Sequence, residues 1–308
     1  MPPAVSVCMP VYNTAPYLAQ AVESILRQDL ADFELLIVND GSTDGSLSVL
    51  EKLAVTDQRI RLVSRANKGL IATRNELLEM ARGEFVAWAD SDDVSRPARL
   101  SKSIAAFAAD AELVCVGSAW QIIDPEGMPI CEVSFPADHA AIVERMQTTD
   151  IALNFPTVMM RRAAATAVGG FREPFKIGED YDLCLRLSER GHVANLPDVL
   201  VDYRQHLAST VNARRWQASG YSRLANTLAK ERRETGSDRL QRGEVALPEF
   251  DPAPTAKQNS CEAWQRWTWQ ALGAGNVATA RKYARLVLRH KPLEFWSWRL
   301  AYCAWRGH

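Results

Sequence analysis

Up to Ala109 the chain alternates between short runs in which nearly every position is apolar and longer segments whose apolar positions recur every three or four residues. Ala4 to Val11 is the first apolar run, and Ala15 to Arg27 follows with Leu18, Val22, Ile25 and Leu26 at helical spacing. Phe33 to Val38 is apolar except for Glu34, Asp44 can cap a helix through Leu53, Ile60 to Ser64 reads as a third strand, and Leu70 to Ala81 reads as a helix. Glu84 to Ala89 is a fourth strand, and Pro97, suited to a first helical turn, opens a helix to Ala109. Strands apolar on both faces are what a parallel sheet covered by helices requires. The pattern predicts an α/β fold whose first half is Rossmann-like, with a mostly parallel sheet flanked by helices.

After Leu113 to Ala119 the alternation breaks. Asp124-Pro125-Glu126-Gly127 has turn chemistry and suggests a hairpin, and Ala137 to Met146 reads as a helix. Val158 to Arg161 reads as a strand, Gly169-Gly170-Phe171 as a turn, Tyr181 to Arg190 as a helix, and Val199 to Arg204 as a closing strand, so this core ends near Ser209. Trp216 to Glu234 is a charged amphipathic helix, and the prolines between Leu247 and Pro254 read as a linker. From Cys261 helical patterns break at Gly273 to Gly275 and at Pro292, with Ala280 and Ala284 placed as in one tetratricopeptide-like hairpin. The predicted division is residues 1–215 as the main domain, 216–260 as helix and linker, and 261–308 as a small all-helical region; a chain ending near Gln258 is expected to stay folded.

Composition narrows this little. The 308 residues are 47% hydrophobic and 24% charged with a formal charge of -1, which excludes disordered and collagen-like chains and gives no sign of nucleic acid. The six scattered cysteines show no Cys-x-x-Cys spacing, so reduced thiols are expected. No segment has signal-peptide order or the roughly 18 apolar residues of a membrane span, which predicts a cytoplasmic protein. Charge is uneven, however. From Cys261 onward eight basic residues stand against Glu262 and Glu294, a balance of +6, so the first 260 residues carry -7. Trp264, Trp267, Trp269, Trp296, Trp298 and Trp305 lie among those basic residues. Such helices suit an anionic membrane surface; the other reading is a helical cap whose tryptophans pack inward.

Candidate chemistry gathers at the strand ends, where open α/β sheets bind ligands. Asp90 and Asp92 are two apart, so both carboxylates face one side of an extended segment, where they can hold Mg²⁺ or Mn²⁺ or simply turn the chain. Asp40 ends the second strand, where it can meet a base or ribose or serve a capping turn. Asn67-Lys68-Gly69 with Arg74-Asn75 puts a glycine turn and cations at the third, suited to a nucleotide or merely to a helix start. Asp180 is either a helix N-cap or a general base, with Glu179 beside it. His206 is a metal ligand, a donor to phosphate, or neither.

Together Val5 to Asn13 (VSVCMPVYN), Asn39 to Asp44 (NDGSTD), Asn67-Lys68-Gly69 with Arg74-Asn75, Asp90 to Asp93 (DSDD), Gly178-Glu179-Asp180 and Tyr203 to His206 (YRQH) resemble glycosyltransferase family 2 in order and spacing. The resemblance implies the GT-A fold, inversion at the anomeric carbon and a divalent cation, Mn²⁺ or Mg²⁺. It implies that Pro10, Tyr12 and Asp40 line the nucleoside pocket, Gly69 and Arg74 its far wall, and Asp90 with Ser91 the ribose side. Asp92 is implied as metal ligand with His206 as a further ligand or phosphate contact, Asp180 as base, and Glu179 as its support or an acceptor contact. The donor implied is a nucleoside-diphosphate sugar, most often of uridine diphosphate. The acceptor is a hydroxyl of a glycan or lipid-linked saccharide, in cell-surface polysaccharide synthesis at the inner face of the membrane. Asn212 to Trp216 (NARRW) only approaches the Gln-x-x-Arg-Trp motif of processive members, so one sugar per encounter is expected. A nucleotidyltransferase lacks support because Met9 to Thr14 has no glycine; a non-catalytic sugar-nucleotide or protein-binding module is the other alternative.

Overall fold

The computed structural model describes residues 2–148, 151–207, 210–244, 248 and 260–307, without the side chains of 210–218. The linker between Leu247 and Pro254, apart from Pro248, and the side chains of Asn212 to Trp216 lie outside the described residues.

The first half follows the predicted alternation: β1 (Val5–Val11), α1 (Ala15–Leu26), β2 (Phe33–Asp40), α2 (Ser46–Ala54), β3 (Ile60–Arg65), α3 (Leu70–Met80) and β4 (Phe85–Trp88). β3, β2, β1 and β4 lie side by side in that order, and all three pairings are parallel. The chain thus winds outward from β1 in one direction and returns to the other side of it at β4. The carboxyl ends of β1 and β4 therefore flank a switch in winding direction, where such sheets open a ligand crevice. Alternate residues of each strand enter opposite cores. Val7, Met9, Leu35 and Ile37 pack with α1 residues Leu18, Val22 and Ile25. Cys8, Leu36, Val38 and Trp88 pack with α3 residues Ile71, Leu77 and Leu78 on the other face.

Glu34, the polar exception in β2, is buried. It accepts hydrogen bonds from Ser6 Oγ (2.7 Å), from Arg61 (2.7 Å), and from the backbone and guanidinium of Arg82, tying three strands and the α3–β4 turn. Burial alone would raise its pKa, but these donors bring it down to about 2.

Beyond β4 the sheet becomes mixed. β5 (Val94–Ser95), α4 (Arg99–Ala109), β6 (Leu113–Ile123), β7 (Pro129–Val133), α5 (His139–Gln147), a 3-10 turn at Phe155–Thr157, β8 (Met159–Arg161), α6 (Arg162–Ala167), α7 (Glu179–Ser188) and β9 (His192–Arg204) follow. The order continues β4-β8-β6-β9-β5, with β7 on β6. β6 and β9 run parallel, while β4–β8, β6–β8, β6–β7 and β5–β9 are antiparallel. The hairpin expected at Asp124 to Gly127 is the β6–β7 connection, held by Asp124 Oδ1, which accepts from the backbone of Glu126 and Met128. β9 starts seven residues before the predicted Val199, because polar His192, Asn195 and Asp198 and the internal Pro197 hide it. The β6–β9 ladder absorbs this stretch by shifting register between Leu196 and Val199.

α8 (Thr210–Thr235) leaves the sheet, and Tyr221, Leu224, Ala225, Leu228 and Ala229 join the core on the α3 side. The last helices, α9 (Ser260–Gly273), α10 (Val277–His290) and α11 (Phe295–Arg306), break at the two places predicted. They share a core with the sheet: Trp267, Ala271, Tyr283, Ala284 and Val287 pack with Trp120, Ile122, Ile130 and Val201. Among the described residues no helix is long and apolar enough to cross a membrane.

Candidate active site

The ends of β1, β2 and β3 are bound to one another. Gly41 has φ 70°, and a Cβ there would stand 2.6 Å from the backbone nitrogen of Asn67. Glycine therefore allows the turn after β2 to lie against the turn after β3. Asp40 fixes that second turn, accepting from the backbone N–H groups of Lys68 (2.8 Å) and Gly69 (3.0 Å) and pairing with Arg65, its register partner. Its pKa is lowered: burial opposes ionisation, but the Lys68 N–H and the Arg65 guanidinium prevail. Gly69, with φ 89° and ψ 162°, holds a backbone shape that is essentially glycine-only and starts α3. Pro10 is half-buried near the end of β1, and Tyr12, just past it, is 51% exposed.

The turn after β4 carries the acidic residues. Asp90, Asp92 and Asp93 each place an oxygen within 4.8 Å of one another. Asp90 and Asp92 keep 32% and 21% of their side chains accessible and can take a ligand, whereas Asp93 is buried. Crowding raises the carboxyl pKa of Asp90 to about 6, chiefly through burial, against the pull of Arg74 and with help from Asp92 and Asp180. Burial, with Asp92 and Asp90 beside it, pushes Asp93 well up as well, against the pull of Arg204. Asp93 Oδ1 accepts from the backbone of Arg204 (2.8 Å), while its Oδ2 is buried without a hydrogen-bond partner among the described residues. Hard oxygens with excess negative charge fit a divalent cation. Ser91 Oγ accepts from Thr14 Oγ1 (2.9 Å), joining this turn to the end of β1.

His206, just past β9, lies 2.9 Å from Asp92 Oδ2 through Nε2, and its ring sits 5.2 Å from that of Tyr17. Thus β9 delivers the histidine to the acidic turn from 114 residues away.

The helix start bearing Glu179 and Asp180 arrives from another side. The N-cap of α7 is Gly178 at φ 72°, so Asp180 is the second helical residue and not the cap, one of the two readings left open by its sequence. Its Oδ1 accepts only the adjacent N–H of Tyr181 in the described geometry, and the residue is half-buried. Glu179 is buried against Arg74 at 2.5 Å, and the same guanidinium reaches Asp90 at 3.8 Å. Arg74 is itself buried, 4.6 Å from the ring centroid of Phe155 and 5.4 Å from that of Phe171. Burial raises the Glu179 pKa to about 7, with Arg74 opposing and Asp180 adding to the rise. Arg74 therefore forms a buried bridge between the α7 start and the acidic turn.

Several contributors were not singled out from the sequence. Arg204 donates from Nε to Asp92 O (2.8 Å), from Nη1 to Pro125 O (2.9 Å) and from Nη2 to Gln20 Oε1 (2.7 Å). Gln205 accepts from Trp267 Nε1 of α9 (2.6 Å). Arg204 and Gln205 stood inside the quoted YRQH segment, but only a folded chain tells which of four adjacent polar residues points at the turn. Arg65 and Thr14 had no local signal beyond their positions at strand ends.

The family model described as Glycosyl transferase family 2 matches residues 6–166, more than half of the chain. Chondroitin synthase of Pasteurella multocida is 34% identical over 195 residues, 63% of this chain and 20% of that protein. Chondroitin synthase of Escherichia coli is 27% identical over 272 residues, 88% of this chain and 37% of that protein. The chain spans well under half the length of either synthase. EpsE of Bacillus subtilis is 33% identical over 208 residues, 66% of this chain and 73% of that protein. Among solved structures, S. aureus TarS 1-349 in complex with UDP-GlcNAc aligns at TM-score 0.56 and 18% identity, covering 99% of this chain and 90% of that one. The mannosyltransferase PcManGT from Pyrobaculum calidifontis, in complex with GDP-Man and Mn²⁺, aligns at TM-score 0.55 and 18% identity, covering 100% and 85%. These likenesses bear out the GT-A fold.

Proposed function

Because the chain belongs to glycosyltransferase family 2, we propose that its cleft transfers one sugar per encounter from a nucleoside-diphosphate sugar to an acceptor hydroxyl, with inversion. Uridine diphosphate is the proposed nucleotide. A glycan or lipid-linked saccharide is the proposed acceptor, in the synthesis of a cell-surface polysaccharide, with the enzyme working in the cytoplasm at the inner face of the membrane. The observation that supports the reading most is the Arg74 bridge. One buried guanidinium pairs with Glu179 at the start of α7 and reaches Asp90 in the acidic turn, so one cation links the proposed donor site to the helix start that bears the proposed base.

In this reading Pro10, Tyr12, Asp40 and Gly69 border the nucleoside, and Asp90 and Ser91 border its ribose. Asp92 and His206 would hold the cation, Mn²⁺ or Mg²⁺, whose positive charge would offset the negative charge of the departing nucleoside diphosphate. Asp180 takes the proton of the acceptor hydroxyl as its oxygen bonds to the anomeric carbon. The bond from that carbon to the diphosphate oxygen breaks, and its electron pair leaves with the diphosphate. Glu179, neutralised by Arg74, keeps Asp180 in place.

The test is incubation of the purified chain with a panel of nucleotide sugars, with and without Mn²⁺, following nucleoside diphosphate release and sugar transfer. Metal-dependent release or transfer is expected with at least one donor. Metal-dependent nucleotide binding with neither transfer nor slow donor hydrolysis would favour a binding module.

A further inference from the structure

The C-terminal helices divide their aromatic residues between two roles. Trp267 and Tyr283 are buried where α9 and α10 pack on the sheet. α11 packs on α10 and α9 through Ser297, Leu300 and Ala304 and turns its other side outward. Phe295, Trp298, Tyr302 and Trp305 are 74%, 59%, 59% and 69% exposed. Their spacings of three, four and three residues put them on one stripe opposite the packed face. Leu293, just before the helix, is 99% exposed.

Cations edge this stripe. The Arg299 guanidinium lies 4.9 Å from the Trp296 ring centroid, that of Arg281 lies 5.3 Å from Trp305, and that of Arg306 lies 5.8 Å from Tyr302. Glu294 is the acidic residue nearest in sequence, and Lys291 pairs with it at 2.9 Å. A row of exposed aromatic rings is a cost in water that an interaction partner removes. Rings at headgroup depth beside guanidinium groups are the composition of a helix lying on an anionic bilayer. A second copy of this chain would bring a tail of the same +6 balance against the first, an unfavourable meeting.

We propose that the outward face of α11 docks on an anionic lipid surface, with Phe295, Trp298, Tyr302 and Trp305 entering the interface and Arg299 and Arg306 meeting lipid phosphates. The inference rests on exposure, spacing and charge, and it holds whatever reaction the cleft performs.

The test is sedimentation of the full chain with vesicles of phosphatidylcholine alone and with phosphatidylglycerol added to roughly 30%. The wild type is expected to sediment with the anionic vesicles only, and less so as salt rises. Phe295→Ala/Trp298→Ala/Trp305→Ala and, separately, Arg299→Ala/Arg306→Ala are expected to weaken this by about tenfold or more, with circular dichroism as the check on folding. Brominated lipids are expected to quench the tryptophan emission of the bound wild type, a readout that needs no variant. Absence of wild-type sedimentation, unquenched emission, or equal binding by folded variants would overturn the proposal. So would light scattering that finds a wild-type dimer which the aromatic variant dissolves while vesicle binding stays the same.

Discussion

Arg204 shows how much one side chain can organise around an acidic turn. It is buried, its guanidinium donates to the carbonyls of Asp92 and Pro125, and its backbone N–H binds Asp93. Groups that orient metal ligands without touching the metal are typically worth 10–100-fold in affinity. Arg204→Met is therefore expected to weaken Mn²⁺ binding by roughly that factor; a titration giving wild-type affinity would count against the clamp. Asp92→Ala is expected to abolish the metal dependence of donor binding while leaving the fold intact, as read by thermal shift with nucleotide sugar and Mn²⁺. Glu34 carries a stability prediction. Its pKa falls from 4.5 to about 2 on folding, so the stabilisation is present above pH 4.5 and is lost as pH falls towards 2. At 1.36 kcal/mol per unit this is roughly 3 kcal/mol for a buried carboxylate. Glu34→Gln should lower unfolding free energy by that order at pH 7, and the gap to wild type should close in acid denaturation below pH 3.

Among elements, the start of α7 matters most to the site. Reading from Tyr181 placed Asp180 before the helix, where both capping and catalysis were open; the structure begins the helix at Glu179, with Gly178 as cap. Only glycine adopts that left-handed shape without cost, so Gly178→Ala is expected to destabilise by about 1–2 kcal/mol and to lower transfer more than donor affinity. Unchanged kcat would argue that the helix start does not position the base. The strands β1 to β4 were legible because covered parallel strands are apolar throughout, and their ends bring Asp40, Gly69 and Asp90 to one edge of the sheet. β9 was half-hidden by Pro197 and polar residues, and β5, two residues long, has no pattern to read. Arg74 was legible as a cation near a nucleotide site, but its partner Glu179 is 105 residues away. A pair at that separation leaves no periodic trace.

For the molecule as a whole, the C-terminal helices are part of the core through α9 and α10 and carry the proposed lipid-docking face on α11. Trp120, Ile122 and Ile130 of the β6–β7 hairpin are buried beneath α9 and α10, and Lys282 pairs with Asp124 (2.5 Å) and Glu126 of the connecting turn. Trp267 also bonds Gln205, the neighbour of His206. Removing residues 260–308 would strip this cover, so a chain ending near Gln258 is expected to lose thermal stability and aggregate, contrary to what the linker-like sequence alone suggested. A truncated protein with wild-type Tm and a monomeric elution profile would contradict the shared core. The charge break near residue 260 was visible in the sequence. That the helices beyond it pack back onto the sheet was not, because contacts across a linker are set by surface complementarity and not by local spacing.

In the proposed transfer Asp180, held beside the proposed donor site by the Arg74–Glu179 pair, takes the acceptor proton. The most direct measurement compares wild type and Asp180→Asn, with donor affinity by titration calorimetry in Mn²⁺ and turnover by product formation. Donor affinity is expected to stay within about threefold of wild type and transfer to fall by roughly 10²- to 10⁴-fold. Full transfer activity in the purified, folded variant would contradict it.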